Sequence, residues 1–491
     1  MVDSKLRAQS YWGVLWSSVQ KFGVLAISFI SNIILARILS PDDFGCIGML
    51  AIFIAIGDIF IDGGFAVALI QKKRPTQEDY STVFYCNLII SIFLYILLFF
   101  TAPAISSFYR IPLLKDVLRV EGLVFIINGF RIIQANQIRK KLKFKELSII
   151  EITSAVITLA LTVYFAYLGW GIWALVAQQI LHCFITVLLM WIVNKWYPSW
   201  VFSKQSFKEL FSFGGFVLLS NIITILSSEI QGLLIGLFFN PATMGYYSQA
   251  RKLESVPAAG VSAVINQVSF PVLSEAQNDN NTLIQMTRRF IVSVAFLIIP
   301  IMFLCILIGK QIIVLCYSDK WIDSVPYFQV LCLAGIAVSM NGINYYAVAV
   351  KGKSKELLYG TFVKKSIGIA LIIGGLVLYG MKGLLIGTVL GAYFSYLVNA
   401  LQVKKYVGYS IWSQARDIFP LLICSLFAFI VSFISTRFFI IGFWGEGAIR
   451  FIVFVTVYMG MATILKLDAY KYIKSIINEI FTSFSHKQRV K

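Results

Sequence analysis

The stretch Leu35–Met49 reads LARILSPDDFGCIGM and forms a short polar hairpin between two long apolar runs. A second stretch, Ile235–Gln249, reads IGLFFNPATMGYYSQ. The prolines Pro41 and Pro241, each followed four residues later by a glycine, align without a gap. A helix, a hairpin that begins with proline and a second helix therefore occur twice. Such a repeat at a fixed spacing indicates an architecture built from two similar parts, and it is therefore considered before the roles of single residues.

The composition is that of a membrane protein. Of the 491 residues, 59% are hydrophobic and 13% are charged, and the mean hydropathy is +0.82. A soluble protein carries about 25% charged residues. Apolar runs of about 20 residues, each able to cross about 30 Å of hydrocarbon as a helix, recur along the chain. The sequence predicts an all-α, polytopic membrane protein.

The hydropathy pattern predicts about fourteen transmembrane helices joined by short connections. None of the connections exceeds about twenty residues, so the sequence offers no room between spans for a soluble catalytic domain. The predicted spans are 15–38, 46–70, 81–103, 117–138, 147–168, 171–193, 210–238, 246–274, 286–309, 326–350, 357–379, 383–403, 417–437 and 444–465.

The positive charge of the chain is unevenly distributed over its alternate connections. With a cytoplasmic N-terminus, the inside segments and tails hold 27 Lys and Arg residues and the outside loops hold 5. Cytoplasmic loops of membrane proteins are rich in Lys and Arg, so both termini are expected in the cytoplasm. The net charge of +19 is explained in this way, and no nucleic-acid partner is expected. The seven cysteines contain no CxxC pair, which predicts neither a metal site nor a cofactor.

The repeat extends beyond the hairpins. KFKEL at Lys143–Leu147 matches KSKEL at Lys353–Leu357, and the turn glycine Gly169 matches Gly380. Together with Asn128 and its counterpart, these landmarks are displaced by 200, 210, 211 and 213 residues. Six spans separate equivalent hairpins, so both copies enter the membrane in the same direction, as a parallel repeat.

The repeat and the last two spans predict four segments. They are a six-helix lobe at 1–200, a second six-helix lobe at 201–405, two additional helices at 406–465 and a basic cytoplasmic tail at 466–491. The tail has apolar residues near helical spacing with lysines between them. Two interpretations remain open for it: an amphipathic helix on the membrane surface and a disordered basic tail.

Three sequence patterns carry a resemblance to a known family. They are ARILSPDDFG after the first helix, DGGFAVALIQKKRPTQEDYSTVFYCN after the second, and MGYYSQARKLESVPA at the start of the second half. Together with the plan of six, six and two spans, they resemble the Wzx-type polysaccharide flippases, in particular the colanic-acid exporter branch. These flippases form part of the multidrug/oligosaccharidyl-lipid/polysaccharide exporter superfamily.

The resemblance implies a function in the bacterial cytoplasmic membrane. It implies two bundles around a central cavity and export of an undecaprenyl-pyrophosphate-linked oligosaccharide, with membrane lipids, a polysaccharide polymerase and chain-length machinery as further partners. Alternatives are a multidrug or cation exporter of the same superfamily, which favours an acidic cavity, and a peptidoglycan-precursor flippase. A membrane polymerase or glycosyltransferase is a third class, which generally needs a sizeable extramembrane loop. The expected protein is therefore a transporter and not an enzyme.

Ionisable side chains inside membrane spans are costly, so each is a candidate for a functional role. Arg131 is the strongest candidate because it lies about 21 Å from the outer end of its predicted span. The candidates for substrate binding are Arg131, Arg251, Lys252, Lys21, Asn32 and Gln249. The candidates for coupling or gating are Asp58, Asp62 and Glu254.

Structural roles remain open for several of these residues. Lys21 lies near enough to the cytoplasmic face to extend its ammonium group to the interface. Arg251 and Glu254, three residues apart, are placed to pair on one helix. Asn32 and Gln249 fit hydrogen bonding between helices as well as the lining of a cavity.

Overall fold

The computed structural model describes residues 2–437, 442–467, 470 and 472, with backbone alone at 2–11, 14, 213, 216, 217, 259 and 261–268. Residues 473–491, which hold most of the predicted basic tail, lie outside this set. The regular elements of the described residues are helical, which confirms the all-α prediction. They are α1 Val2–Ile38, α2 Pro41–Asp62, α3 Phe65–Gln71, α4 Gln77–Tyr109, α5 Leu113–Glu121, α6 Leu123–Lys140, α7 Phe144–Tyr167, α8 Ile172–Asn194, α9 Lys204–Phe238, α10 Pro241–Glu275, α11 Asn280–Leu307, α12 Gly309–Tyr317, α13 Val325–Ala349, α14 Ser354–Tyr406, α15 Ile411–Ser435 and α16 Phe443–Ile464, with a 3₁₀ turn at Asp319–Ser324 before α13.

The first repeated hairpin is tighter than the sequence predicted. Helix α2 begins at Pro41 and not at residue 46, because Ser40 caps it. The Ser40 hydroxyl accepts a hydrogen bond from Asp43 N at 3.2 Å, and Ser40 N donates to the Asp43 carboxylate at 2.9 Å. This reciprocal capping satisfies two backbone donors at the helix start. Proline fits the first helical position because its missing N–H needs no partner there.

The two hairpins contact each other reciprocally. Both lie in the first of the two compact units into which the chain divides, Met1–Ser248 and Gln249–Lys491. Gly45 lies directly against the Pro241 carbonyl, and Gly245 lies directly against the Pro41 carbonyl. A Cβ at either glycine would occupy the space of the opposing carbonyl oxygen. Such a reciprocal contact is what two copies related by a twofold axis produce.

The second predicted span is interrupted. The sequence predicted one helix over 46–70, but α2 ends at Asp62 and α3 begins at Phe65. Gly63 and Gly64 between them have φ values of 54° and 72°, which glycine adopts without steric cost. Gly64 also packs against the backbone of Gly214 in α9. Two consecutive glycines therefore break the helix where a second helix approaches closely.

Lys72 joins three elements just after α3. Its Nζ lies 3.0 Å from Asp79 Oδ1 and 3.0 Å from Glu209 Oε2. Burial lowers the pKa of Lys72, but the hydrogen bonds to Asp79 and Glu209 outweigh that effect and leave the pKa raised. The ammonium of Lys140 donates to the Leu69 and Ile70 carbonyls at 2.8 and 3.2 Å. A cation at the C-terminal end of a helix stabilises its unpaired carbonyls.

Eleven of the described helices are long and apolar enough to cross a membrane. One of them, α14, is interrupted at Tyr379 and Gly380, at the turn that the sequence predicted between spans 357–379 and 383–403. Gly375 and Gly383 on the two sides of this turn pack against each other's carbonyls. The multi-pass membrane architecture is thus confirmed, while the count of fourteen spans and the lobe boundaries at 200 and 405 stay predictions.

The distribution of side chains is that of a protein in lipid. Large apolar side chains such as Phe100, Val377 and Ile464 have 74% to 79% of their surface exposed. Polar side chains such as Gln134 and Thr162 are instead completely buried. In the first unit, α1 packs on α7, α4 and α8 pack on α6, and α2 packs on α9; in the second, α13 packs on α11 and α14, and α15 packs on α16.

Candidate functional site

A polar cluster lies between the helices of the first unit. Asn128 of α6 donates a hydrogen bond from Nδ2 to Asp58 Oδ1 of α2 at 2.8 Å. Two glycines next to this pair let the helices approach. Gly57 packs against the Phe125 ring, and Gly129 packs against Ser91 of α4. The glycines next to Asp58 and Asn128 therefore leave the space in which the Asp58 carboxylate reaches the Asn128 amide.

Arg131 lies one helical turn after Asn128, on the same face of α6. Its guanidinium interacts electrostatically with Asp58 and Asp62 of α2 and with His182 of α8. Helix α6 has 18 residues, so Arg131 lies about 12 to 14 Å from either end. The predicted span 117–138 corresponds to α5 and α6, which meet at Gly122, a residue with helical dihedral angles (φ −56°, ψ −20°). The depth of about 21 Å from the outer end therefore stays a prediction.

Asp62 has a structural contact of its own. It is the last residue of α2, and its carboxylate accepts a hydrogen bond from the backbone N–H of Ala66, in the first turn of α3. The first N–H groups of a helix have no partner within the helix and need such an acceptor. Asp62 thus joins α2 to α3 by a hydrogen bond, and it also interacts electrostatically with Arg131.

Three further ionisable residues near this cluster were not among the predicted site residues. Glu121 has 1% of its surface exposed and interacts with Gln179. Glu151 of α7 interacts electrostatically with His182. The rule that a charged side chain within a span is functional by default already made Glu121 a candidate from the sequence, and the same rule extends to Glu151 and His182.

The predicted residues on α1 occupy different environments. Lys21 is exposed, and Asn32 is half-buried. The residue before Asn32, Ser31, accepts a hydrogen bond from Gln178 Nε2 of α8 at 2.8 Å. The structure therefore places Asn32 near the contact between α1 and α8, whereas it brings Asp58, Asp62 and Arg131 together.

The remaining predicted residues lie in the first turns of α10, in the second unit. Gln249 is completely buried, and within the described residues its amide has no hydrogen-bond partner. Lys252 is exposed. Glu254 packs directly against Gly335 of α13 and interacts electrostatically with Arg251. Arg251 and Glu254 are therefore close on one helix.

The second unit has its own polar network, which the sequence analysis did not predict. Asn341 of α13 donates to Ser395 Oγ at 2.9 Å and accepts from Asn399 Nδ2 at 2.6 Å, both in α14. Lys364 Nζ donates to Asn399 Oδ1 at 3.1 Å. Further along α13, Asn344 donates to Gln414 of α15 at 3.2 Å. This network is composed mainly of neutral amides and hydroxyls.

The fold and these intramembrane polar clusters define a class of helical membrane transporters. A model of the polysaccharide biosynthesis protein family matches residues 34–326, and the chain belongs to that family.

Two relatives extend the likeness over most of the chain. The teichuronic acid biosynthesis protein TuaB of Bacillus subtilis (strain 168) is 26% identical over 349 residues, which cover 71% of this chain and 72% of TuaB. The lipopolysaccharide biosynthesis protein WzxC of Escherichia coli (strain K12) is 23% identical over 421 residues, which cover 82% of this chain and 83% of WzxC. They confirm the resemblance to Wzx-type proteins and the expectation of a transporter that is not an enzyme.

A solved structure shares the fold. The structure titled "Lipid II flippase MurJ, inward closed conformation" superposes with a TM-score of 0.76 at 15% identity, covering 92% of this chain and 98% of MurJ. The protein is therefore a multi-pass membrane transporter, a flippase or an exporter, and its relatives act in polysaccharide biosynthesis.

Proposed function

We propose that the protein moves an undecaprenyl-pyrophosphate-linked oligosaccharide from the inner to the outer leaflet of the bacterial cytoplasmic membrane, with both termini in the cytoplasm. The observation that supports this substrate most is the cation at Arg131, about 12 to 14 Å from either end of α6, within a polar cluster. A pyrophosphate must cross hydrocarbon, and a charge at that depth needs a partner of opposite sign. A guanidinium matches phosphate oxygens with two parallel hydrogen bonds.

Asp58 and Arg131 together supply a means of binding and release. In the absence of substrate, the Asp58 carboxylate neutralises part of the Arg131 charge. A pyrophosphate that enters competes with Asp58 for the guanidinium, and Asp58 regains it when the substrate leaves. Arg131 is half-buried, and a negative charge stands near it both with and without substrate, which lowers the cost of a cation at this depth. Transport then proceeds by alternating access, as in transporters built from repeated halves.

Transport by reconstituted protein tests this function. Proteoliposomes are loaded with an undecaprenyl-pyrophosphate-linked oligosaccharide in the inner leaflet, and its appearance outside is measured with a membrane-impermeant sugar-cleaving enzyme. We expect movement that depends on the protein and that is abolished by unfolding it. Parallel vesicles contain lipid II or a cationic dye. Transport of the dye without transport of either lipid-linked sugar would overturn the proposal in favour of a drug exporter.

A further inference from the structure

A cavity of about 370 Å³ lies at one end of the helices of the second unit. The loops at this end are predicted to face the outside of the cell. Its walls come from the end of α11, α12, the start of α13, the end of α15 and the start of α16. Helices α15 and α16 correspond to the two predicted spans that stand outside the repeat, so the predicted repeat supplies no counterpart for two of the cavity walls.

Arg450 of α16 provides a positioned cation in the cavity wall. Its guanidinium pairs with Glu446 one turn earlier, and its Nε donates to Thr436 Oγ1 at 3.1 Å. The guanidinium carbon also lies 5.2 Å from the centroid of the Phe433 ring. A guanidinium has five N–H donors, so these contacts fix its orientation and leave donors for a ligand.

A second cation lies beside the first. Lys310 is exposed, and its Nζ lies 5.4 Å from the centroid of the Phe443 ring. Lys310, Arg450 and Glu446 all line the cavity. Two cations and one carboxylate leave the cavity with a positive charge, which favours an anionic ligand.

A buried polar side chain also belongs to the cavity wall. Gln311 lines the cavity and has 7% of its surface exposed. Within the described residues, its Oε1 has no hydrogen-bond partner. Buried polar atoms of side chains nearly always have a partner in the protein or in ordered water. Gln311 therefore adds a polar group to a wall that is otherwise largely aromatic and aliphatic.

We propose that this cavity binds the phosphate-bearing headgroup of an anionic membrane phospholipid. Its volume lies near the lower end of the range of about 300 to 1,000 Å³ for ligand sites, which suits a headgroup such as glycerol phosphate better than an oligosaccharide. The aromatic rings of Phe429, Phe433 and Phe443 in its walls fit the membrane interface, where one side of a ligand is apolar. Basic pockets between membrane helices are known to bind anionic lipid headgroups at the cytoplasmic side, and the same charge complementarity applies at the outer side. This site is independent of the substrate that the transporter moves.

Lipid binding to the purified full-length protein tests the proposal. Native mass spectrometry measures the affinity for phosphatidylglycerol and for phosphatidylcholine, each titrated alone. We expect phosphatidylglycerol to bind about tenfold more tightly, because its headgroup has a net negative charge, whereas the choline of phosphatidylcholine adds a cation that Lys310 and Arg450 repel. Lys310→Gln and Arg450→Gln should each reduce that preference. Lys310 is exposed, so its variant keeps the test valid if the Arg450 variant fails to fold.

The matched control is Lys382→Gln, which removes an exposed lysine at the same predicted face of the second unit. It should leave the preference unchanged. Equal binding of the two lipids, or an undiminished preference in the Lys310→Gln variant, would overturn the proposal. Water-soluble glycerol 3-phosphate is added as a competitor. If it displaces phosphatidylglycerol at equal concentration, the site is one for a free phosphate, and the assignment to a lipid is wrong.

Discussion

The two units contain related helices with polar centres of different charge. In the first, Asn128 binds the Asp58 carboxylate, and Arg131 lies one turn away. In the second, the equivalent Asn341 binds the neutral side chains of Ser395 and Asn399. The offset of 213 residues that relates the two asparagines places Asn344 opposite Arg131. The offset of 200 residues between the hairpins places Ala258 opposite Asp58.

This comparison indicates that the polar centres of the two units have different roles. Both copies keep an asparagine that joins neighbouring helices, as hydrogen-bonding side chains do in membrane proteins. At these aligned positions, the first copy alone combines that asparagine with a carboxylate and a guanidinium. We therefore expect the asparagine networks to stabilise both units and the charged pair of the first unit to act on the substrate.

The largest expected effect is that of Arg131→Ala on export. Removing the guanidinium removes charge-assisted hydrogen bonds worth about 1.5 to 3 kcal/mol each, which corresponds to a loss of export of about 10- to 100-fold. The measurement is surface polysaccharide in cells that depend on this protein, divided by its abundance in the membrane. Asn344→Ala at the equivalent position is the matched control and should cost no more than about threefold. Similar losses in the two variants would break the comparison.

Asp58→Asn should separate binding from turnover. The amide oxygen still accepts the hydrogen bond from Asn128, so the fold is retained, but the charge that competes with substrate for Arg131 is lost. We expect a lower apparent KM and a maximum rate about tenfold lower, because the substrate is bound more tightly and released more slowly. Initial rates in proteoliposomes over a range of substrate concentrations measure both. A raised KM at unchanged maximum rate would show that Asp58 assists binding instead.

Asn341→Leu tests whether the network of the second unit is structural. It removes the Asn341 side chain that pairs with Ser395 Oγ and Asn399 Nδ2, at a cost of about 1 to 3 kcal/mol, so we expect the Tm of the purified protein to fall by several degrees. Export per molecule should stay within about twofold of the unmodified protein. Asn128→Leu is the counterpart in the first unit and should lower both the Tm and the export per molecule. Loss of export without loss of stability in Asn341→Leu would contradict a purely structural role of the Asn341 network.

The smallest effect concerns Lys72, whose pKa is raised by Asp79 and Glu209. A lysine with a raised pKa contributes stability that is complete below its unfolded pKa and is lost as the pH rises through its folded pKa. Lys72→Met should therefore lower the free energy of unfolding by about 1 kcal/mol at pH 8, and the difference should shrink at strongly alkaline pH. Thermal unfolding across that range measures this change. Lys73→Met, at the exposed neighbouring position, is the matched control and should change the free energy of unfolding by no more than about 0.5 kcal/mol.

The sequence predicted the architecture well wherever local chemistry decides it. Ser40 and Pro41 start a helix by capping and by a fixed φ angle, and their repetition at Asn240 and Pro241 revealed the second copy. The turn at Gly380 was also predicted correctly. The break after Asp62 was missed because an apolar run was treated as one helix, although two consecutive glycines within it are a local signal of interruption.

The partners within the candidate site were less predictable. Hydropathy identified Asp58 and Arg131 as costly residues, but the hydrogen bond between Asp58 and Asn128 depends on how α2 and α6 align, which no local pattern encodes. The same is true of the contact between Glu254 and Gly335, two residues 81 positions apart in the sequence.

Binding of the substrate to purified protein tests the central claim most directly. The dissociation constant of a fluorescent undecaprenyl-pyrophosphate-linked sugar is measured for the unmodified protein, Arg131→Ala and Asn344→Ala. We predict that binding weakens about 10- to 100-fold in Arg131→Ala and changes by less than about threefold in Asn344→Ala. Unchanged affinity in Arg131→Ala, or an equal loss in both variants, would contradict the assignment of the pyrophosphate to the first unit.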